Sequence, residues 1–134
     1  MSLDSGNAGR MVDPRNARGA AGEQAAAEML AAIGYEIVER NFRTRYGELD
    51  IVAADDTTLV FCEVRSRVGR DGIAWALQSI GPAKRKQLRK MASEWFRLSK
   101  AERPRTRAVR FDAVAVSIAP NGRPLALQHV QNAF

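Results

Sequence analysis

The chain of 134 residues has one cysteine, Cys62, and one histidine, His129. A single thiol cannot close a disulfide within the chain or build a cysteine zinc site. By alternation Cys62 reads as a buried structural thiol, and His129, with no Cys or His at ligand spacing, as structural or exposed. No apolar stretch approaches the ~20 residues that cross a bilayer, and Met1-Ser2-Leu3-Asp4-Ser5-Gly6-Asn7 lacks both the basic start and the apolar middle of a signal peptide. A cytoplasmic protein without a membrane partner is expected. No Gly-rich loop is followed by Lys-Ser or Lys-Thr, which argues against an NTP-driven motor. Repeats and low-complexity runs are also absent. Of the few aromatics, Trp75, Trp95 and Phe96 read as packing residues rather than base-stacking ones.

With 46% hydrophobic residues, the chain can build one compact core and is too short for two ordinary domains. Residues 1–14 are Gly-, Ser-, Asp- and Asn-rich without periodicity and read as a flexible tail or an appended leader, leaving 15–134 as a single domain. The net charge of +6 is unevenly spread: Pro82 to Arg110 holds eleven Lys or Arg against Glu94 and Glu102, a local +9, so the remainder is −3. Concentrated positive charge beside acidic residues suits a polyanion held electrostatically, and nucleic acid fits best. A solvated helix face that only keeps the protein soluble is the plainer alternative.

An Ala-rich segment from about Asn16, a good N-cap, to Ile33 reads as a helix stopped by Gly34. Strands follow at Tyr35–Phe42, Gly47–Ala54 and Thr58–Arg65. Ser66–Gly72 reads as a basic loop and Ile73–Ser79 as a short helix. Pro82 opens a longer helix to about Lys100, with Leu88, Met91, Ala92 and Trp95 on its inward face. Arg110–Val116 and Pro124–Val130 complete the set as strands. The order αβββα(α)ββ predicts an α/β sandwich with a central mixed sheet of about five strands flanked by helices.

The Asp55-Asp56-Thr57-Thr58 cluster predicts a hairpin in which paired residue numbers sum to 113, so that Asp50 lies opposite Glu63. Two carboxylates that close among Leu, Ile, Val and Phe repel and lose hydration unless a proton or a cation neutralises them, and a divalent metal site resolves the conflict. Neutralisation by Arg65, Arg43 or Arg45 is the structural alternative. Alternation puts Glu63 and Arg65 on one face of the third strand, and Glu48 with Asp50 on one face of the second, leaving Leu49 and Ile51 on the other. Glu23 sits on the inward, alanine-lined side of the first helix and needs a partner or a metal-bound water. Phosphodiester hydrolysis fits this set: Asp50 and Glu63 as ligands of Mg²⁺ or Mn²⁺, Glu23 orienting or holding a metal-bound water, Glu48 either supporting from outside or ordinarily ion-paired, and Arg65 stabilising phosphorane charge. Arg65 stays protonated, so it cannot serve as the general base.

An acid on an N-terminal helix, Gly-Glu-Leu-Asp, and Glu-Val-Arg after a hairpin resemble the PD-(D/E)XK nuclease core, whose layout archaeal Holliday-junction resolvases share. More closely, five ordered motifs resemble the bacterial YraN family of uncharacterised proteins: Gly19-x-x-Gly22-Glu23; Asn41-x-Arg43-x-x-x-Gly47-Glu48-Leu49-Asp50-Ile51; Val60-Phe61-x-Glu63-Val64-Arg65-x-Arg67; Lys84 with its basic neighbours; and Arg110-Phe111-Asp112. The resemblance spans about residues 16–130 and implies a restriction-endonuclease-like fold, with the family's acids carried onto Glu23, Asp50 and Glu63. The superfamily usually has Lys where this chain has Arg65. Lys84, one turn before Leu88 on the core-facing side, is the candidate to replace it as proton acceptor.

The resulting expectation is a metal-dependent, structure-selective endonuclease acting on branched or recombining DNA, with Arg43, Arg45, Arg67, Lys84, Arg85, Lys86, Arg89 and Lys90 contacting phosphates. The alternatives are a catalytically weak nucleic-acid-binding accessory protein in DNA repair or RNA processing, and a basic protein bound to RNA-rich assemblies. A homodimer is left open, because concerted cutting of two strands favours one while no stretch declares a dimer face.

Overall fold

A computed structural model describes residues 14–69 and 73–134, with side chains from residue 19 onward. The expected N-terminal tail therefore lies outside the described residues up to Pro14, as do residues 70–72 of the expected loop. The elements run α1 (Pro14–Ala32), β1 (Glu36–Thr44), β2 (Gly47–Ala54), β3 (Thr58–Val68), α2 (Ile73–Ser79), α3 (Pro82–Leu98), β4 (Ala108–Ile118) and β5 (Pro124–Val130). The five strands form one mixed sheet in the order β1-β2-β3-β4-β5, antiparallel throughout except for the parallel β3–β4 pair. This is the predicted α/β sandwich with its predicted element order.

α1 starts at Pro14, so Asn16 lies inside the helix rather than at its cap. Proline suits a first turn, where its fixed φ costs nothing and its missing N–H has no partner to lose. The helix stops where Gly34 turns left-handed at φ +106°, and the N–H of Tyr35 reaches back to the Leu30 carbonyl at 3.0 Å. Ala26 and Leu30 of α1 pack on Ile51, Ala53, Val60 and Val114, while α3 covers the opposite face with Leu88, Met91 and Trp95 against Leu49, Val52 and Phe61. α3 begins at Pro82 behind an extended Gly81 and buries Leu88, Met91, Ala92 and Trp95, as its spacing requires. Trp95 and Phe96 pack edge-on against Phe61.

The β2–β3 turn is held by Asp55, whose Oδ1 accepts the N–H groups of Thr57 and Thr58 at 2.9 and 2.8 Å. The register beyond it is the expected one, with Ala54 opposite Leu59 and Ile51 opposite Cys62. β3 continues through Ser66 and Arg67 to Val68, where a loop was expected, because β4 supplies a parallel partner all the way to Val68↔Ile118. Its far end depends on a strand some fifty residues away in sequence, which local residue preferences do not reveal.

Asp112 is fully buried and accepts from Arg110 Nε and Nη2 at 2.8 and 2.9 Å and from the Asn132 N–H at 2.9 Å, with His129 Nε2 at 2.7 Å. Arg110 Nη2 also donates to the Tyr35 hydroxyl at 2.6 Å. Burial alone would raise the Asp112 pKa, but these partners more than offset it and hold the carboxyl below its ordinary range. The Arg110-Phe111-Asp112 motif thus ties the C-terminal end to the α1–β1 junction, and His129 has a structural role.

Candidate metal centre

Glu23 reaches the sheet because α1 comes close to β3 at Gly22, where a Cβ would stand 1.8 Å from Ser66 Oγ. Asn41 Nδ2 donates to Glu23 Oε1 at 2.7 Å and orients it. Asn41 itself is left-handed at φ +54°, a conformation that Asn tolerates better than most residues, and it falls opposite Asp50 between the pairs Arg40↔Ile51 and Phe42↔Leu49. The pleat slips at this point. Leu49 packs on the α3 side and Ile51 on the α1 side, although regular alternation would put both on one face. That corrects the expected side of Ile51, whereas Glu48 and Asp50 do project together.

Carboxylate oxygens of Glu23, Glu48 and Asp50 all lie within 4.8 Å of one another. Asp50 is buried, and its Oδ2 accepts the Val64 N–H at 2.9 Å. The paired β2–β3 register ends at Ile51↔Cys62, one step short of the expected Asp50–Glu63 pair, so a side chain takes over where backbone pairing stops. Desolvation first, then the neighbouring Glu63 carboxylate, push the Asp50 carboxyl up to about 8, against the lowering effect of Val64. Asp50 is therefore the acid that both Glu63 and the Glu23–Glu48 pair approach.

Glu63 is buried and faces two cations, Arg65 Nη2 at 3.0 Å and Lys84 Nζ at 3.6 Å. The same-face placement of Glu63 and Arg65 and the inward aim of Lys84 are both present. Arg65 Nε is buried with no hydrogen-bond partner among the described residues. Glu48, expected either to act from outside or to be ordinarily paired, stands among the three clustered acids and pairs with Arg43 at 2.5 Å. The orienting role of Asn41 escaped the sequence reading. A poor strand former inside a strand, beside the acid motif, was the available signal. Cys62 is buried next to this site, and burial pushes its thiol well up, out of reach of nucleophilic use.

The basic residues fall into separate groups. Arg43 and Arg45 are exposed near the β1–β2 turn, where Tyr46 carries the Arg45 guanidinium 4.9 Å and the Lys90 ammonium 4.7 Å from its ring centroid. Gln87 Nε2 donates to the Tyr46 carbonyl at 2.6 Å and fastens this turn to α3. Lys86, Arg89 and Lys90 are exposed on α3, whereas Arg85 turns its Nε back to the Ile80 carbonyl at 3.0 Å. Arg67 lies on β3, its guanidinium 5.1 Å from the Trp75 ring centroid.

The donor set is all hard oxygen, the ligand type that Mg²⁺ and Mn²⁺ take. On an octahedral ion with ligands at ~2.1 Å, adjacent ligands stand ~3.0 Å apart and opposite ones ~4.2 Å, so the three carboxylates need side-chain movement of up to ~2 Å to share one. Among the described residues no helix is long and apolar enough to cross a membrane.

The model of the uncharacterised protein family UPF0102 matches residues 22–116, which include every clustered acid. A UPF0102 protein of Rhodococcus opacus (strain B4) is 42% identical over 118 residues, covering 88% of this chain and 96% of its own length. One from Symbiobacterium thermophilum is 44% identical over 116 residues, covering 87% and 94%. Among solved structures, Pyrococcus furiosus SfsA in complex with Ca²⁺ aligns at 17% identity over 90% of this chain and 64% of that one, at a TM-score of 0.33, too low to show a shared fold. The chain belongs to the UPF0102 family, the YraN family that its ordered motifs resemble.

Proposed function

We propose that this protein is a Mg²⁺- or Mn²⁺-dependent endonuclease that hydrolyses phosphodiester bonds in branched DNA. The observation that carries the reading is the Asp50 carboxyl, buried among Glu23, Glu48 and Glu63 and pushed up to about 8. Such crowding destabilises a fold unless a proton or a cation neutralises the acids, and perturbed acids of this kind concentrate at functional sites. Asp50, Glu23 and Glu48 would hold the ion, with Glu63 facing them. The bound ion would supply polarisation of the phosphoryl oxygen and a more acidic water.

The remaining roles belong to the chain's own side chains. Arg65 is fixed by Glu63 and still has a buried N–H to offer, which suits charge stabilisation on a phosphoryl oxygen. Lys84 approaches the same carboxylate from α3 and, unlike arginine, can give up a proton, so it is the candidate for proton transfer. Arg43, Arg45, Lys86 and Lys90 form a basic surface beside the acids. Because cations already flank Tyr46, this surface favours phosphate contacts over base stacking. RNA offers the same phosphates, and binding without turnover is the second reading, favoured by the two cations that already occupy Glu63.

The test combines calorimetric Mn²⁺ titration with cleavage of four-way junction, flap, single-stranded and linear duplex DNA, using wild type and Asp50→Asn. Metal uptake and cutting of a branched substrate, both lost in Asp50→Asn, are expected. Tight DNA binding with neither metal uptake nor cutting would leave only the accessory role.

A further inference from the structure

Each of the three clustered carboxylates is held at one oxygen by an N–H donor of the chain. Asn41 Nδ2 donates to Glu23 Oε1 at 2.7 Å, Arg43 Nε to Glu48 Oε2 at 2.5 Å, and the Val64 N–H to Asp50 Oδ2 at 2.9 Å. The other oxygen of each acid meets no N–H donor among the described residues. Glu63 is treated differently, because its Oε2 faces both Arg65 and Lys84. Two of the three donors come from β1. Arg43 is the cross-strand partner of Glu48, so its reach follows from the register. Asn41 falls opposite Asp50, yet from its left-handed backbone at φ +54° the amide goes to Glu23 on α1. Only the amide nitrogen can face a carboxylate there, since the amide oxygen has no hydrogen to donate.

We infer that Asn41 and Arg43 are positioning residues of the metal centre: β1 fixes one oxygen of Glu23 and one of Glu48 and leaves the second oxygen of each to the ion. Carboxylates that bind metals are themselves hydrogen-bonded from behind, which sets their orientation before the ion arrives. Arg43 has a further task. Only its Nε is engaged by Glu48, and its side chain is 74% exposed, so the rest of the guanidinium fork is open to a phosphate oxygen beside the ligand it orients. Arg45, its neighbour on the turn, donates instead to the Tyr46 hydroxyl at 2.7 Å. The inference rests on the proposed reading of the acids as a metal centre, and it separates the two residues. Asn41 serves the ion alone, whereas Arg43 ties a ligand of the ion to the nucleic-acid backbone.

The test pairs Mn²⁺ titration calorimetry of the full chain with the salt dependence of duplex affinity measured without metal. Asn41→Gly keeps a backbone that tolerates positive φ and removes the amide, and Arg43→Met keeps the chain length and removes the donor. Both should weaken Mn²⁺ binding by about 10- to 100-fold with unchanged circular dichroism. Losing a positive charge would by itself favour a cation, so weaker binding in Arg43→Met reports the hydrogen bond. Arg43→Gln sets an amide nitrogen at the same distance along the side chain as Nε, and should recover most of the metal affinity lost in Arg43→Met. Both Arg43 variants should lower the salt slope by about 0.9, and Asn41→Gly should leave it unchanged. If Asn41→Gly misfolds, the two Arg43 variants make the same comparison. Mn²⁺ affinity untouched by Asn41→Gly and Arg43→Met, or lost equally in Arg43→Gln and Arg43→Met, overturns the positioning role and leaves the metal centre standing. A salt slope unchanged in Arg43→Met overturns the phosphate contact. A wild type that takes up no Mn²⁺ defeats the proposed function and this inference together.

Discussion

Asp50 binds its proton more tightly in the folded chain than in the unfolded one, because burial and Glu63 raise it from 3.8 to about 8. The contribution to stability is fully present below the unfolded value, falls as pH rises between the two, and is gone above about 8. Metal binding must displace this proton, so Mn²⁺ affinity should rise about tenfold per pH unit on approaching 8 and level off beyond it. Titration calorimetry at several pH values checks this. Asp50→Asn keeps a carbonyl oxygen for the Val64 N–H and removes the charge conflict. It should bind metal weakly with little pH dependence, and at alkaline pH it should stabilise the metal-free fold by roughly 1–2 kcal/mol. A wild-type affinity that is flat with pH would contradict the assignment of Asp50 as a ligand.

Gly22 shows how the helix element serves the site. An alanine in a helix ordinarily gains about 0.5–1 kcal/mol over glycine, and Gly19→Ala should show that gain, since nothing lies within 4 Å of its added Cβ. At Gly22 the new Cβ would meet Ser66 Oγ at 1.8 Å and Ser66 Cβ at 3.0 Å, so α1 or β3 must shift. Gly22→Ala should therefore destabilise by about 1–3 kcal/mol in urea denaturation and weaken Mn²⁺ binding by displacing Glu23. Adding Ser66→Ala should recover part of both. The bounds of β2, α2 and β5 and the hairpin register were legible in the sequence, because local turn chemistry and alternation determine them. The end of β3 was not, since its pairing with β4 is long-range. Neither was the side of Ile51, which follows from a pleat slip at Asn41 and Asp50 that no periodic pattern contains.

Over the whole molecule, the basic segment and the acid cluster serve one substrate only if phosphates bind beside the acids. Lys86 and Lys90 are exposed on α3, and Lys90 shares Tyr46 with Arg45 at the turn that leads into Glu48. Each phosphate contact releases condensed counterions, so the logarithm of duplex affinity should fall linearly with the logarithm of salt concentration, with a slope of about −0.9 per contact. Replacing both lysines by glutamine should reduce that slope by about 2 units and weaken all duplex sequences alike. The melting temperature should hardly move, because exposed charges contribute little to stability. Fluorescence anisotropy between 50 and 300 mM salt, about the range in which such binding changes steeply, reads the slope. An unchanged slope would place the polyanion on some other face and separate the basic helix from the acid cluster.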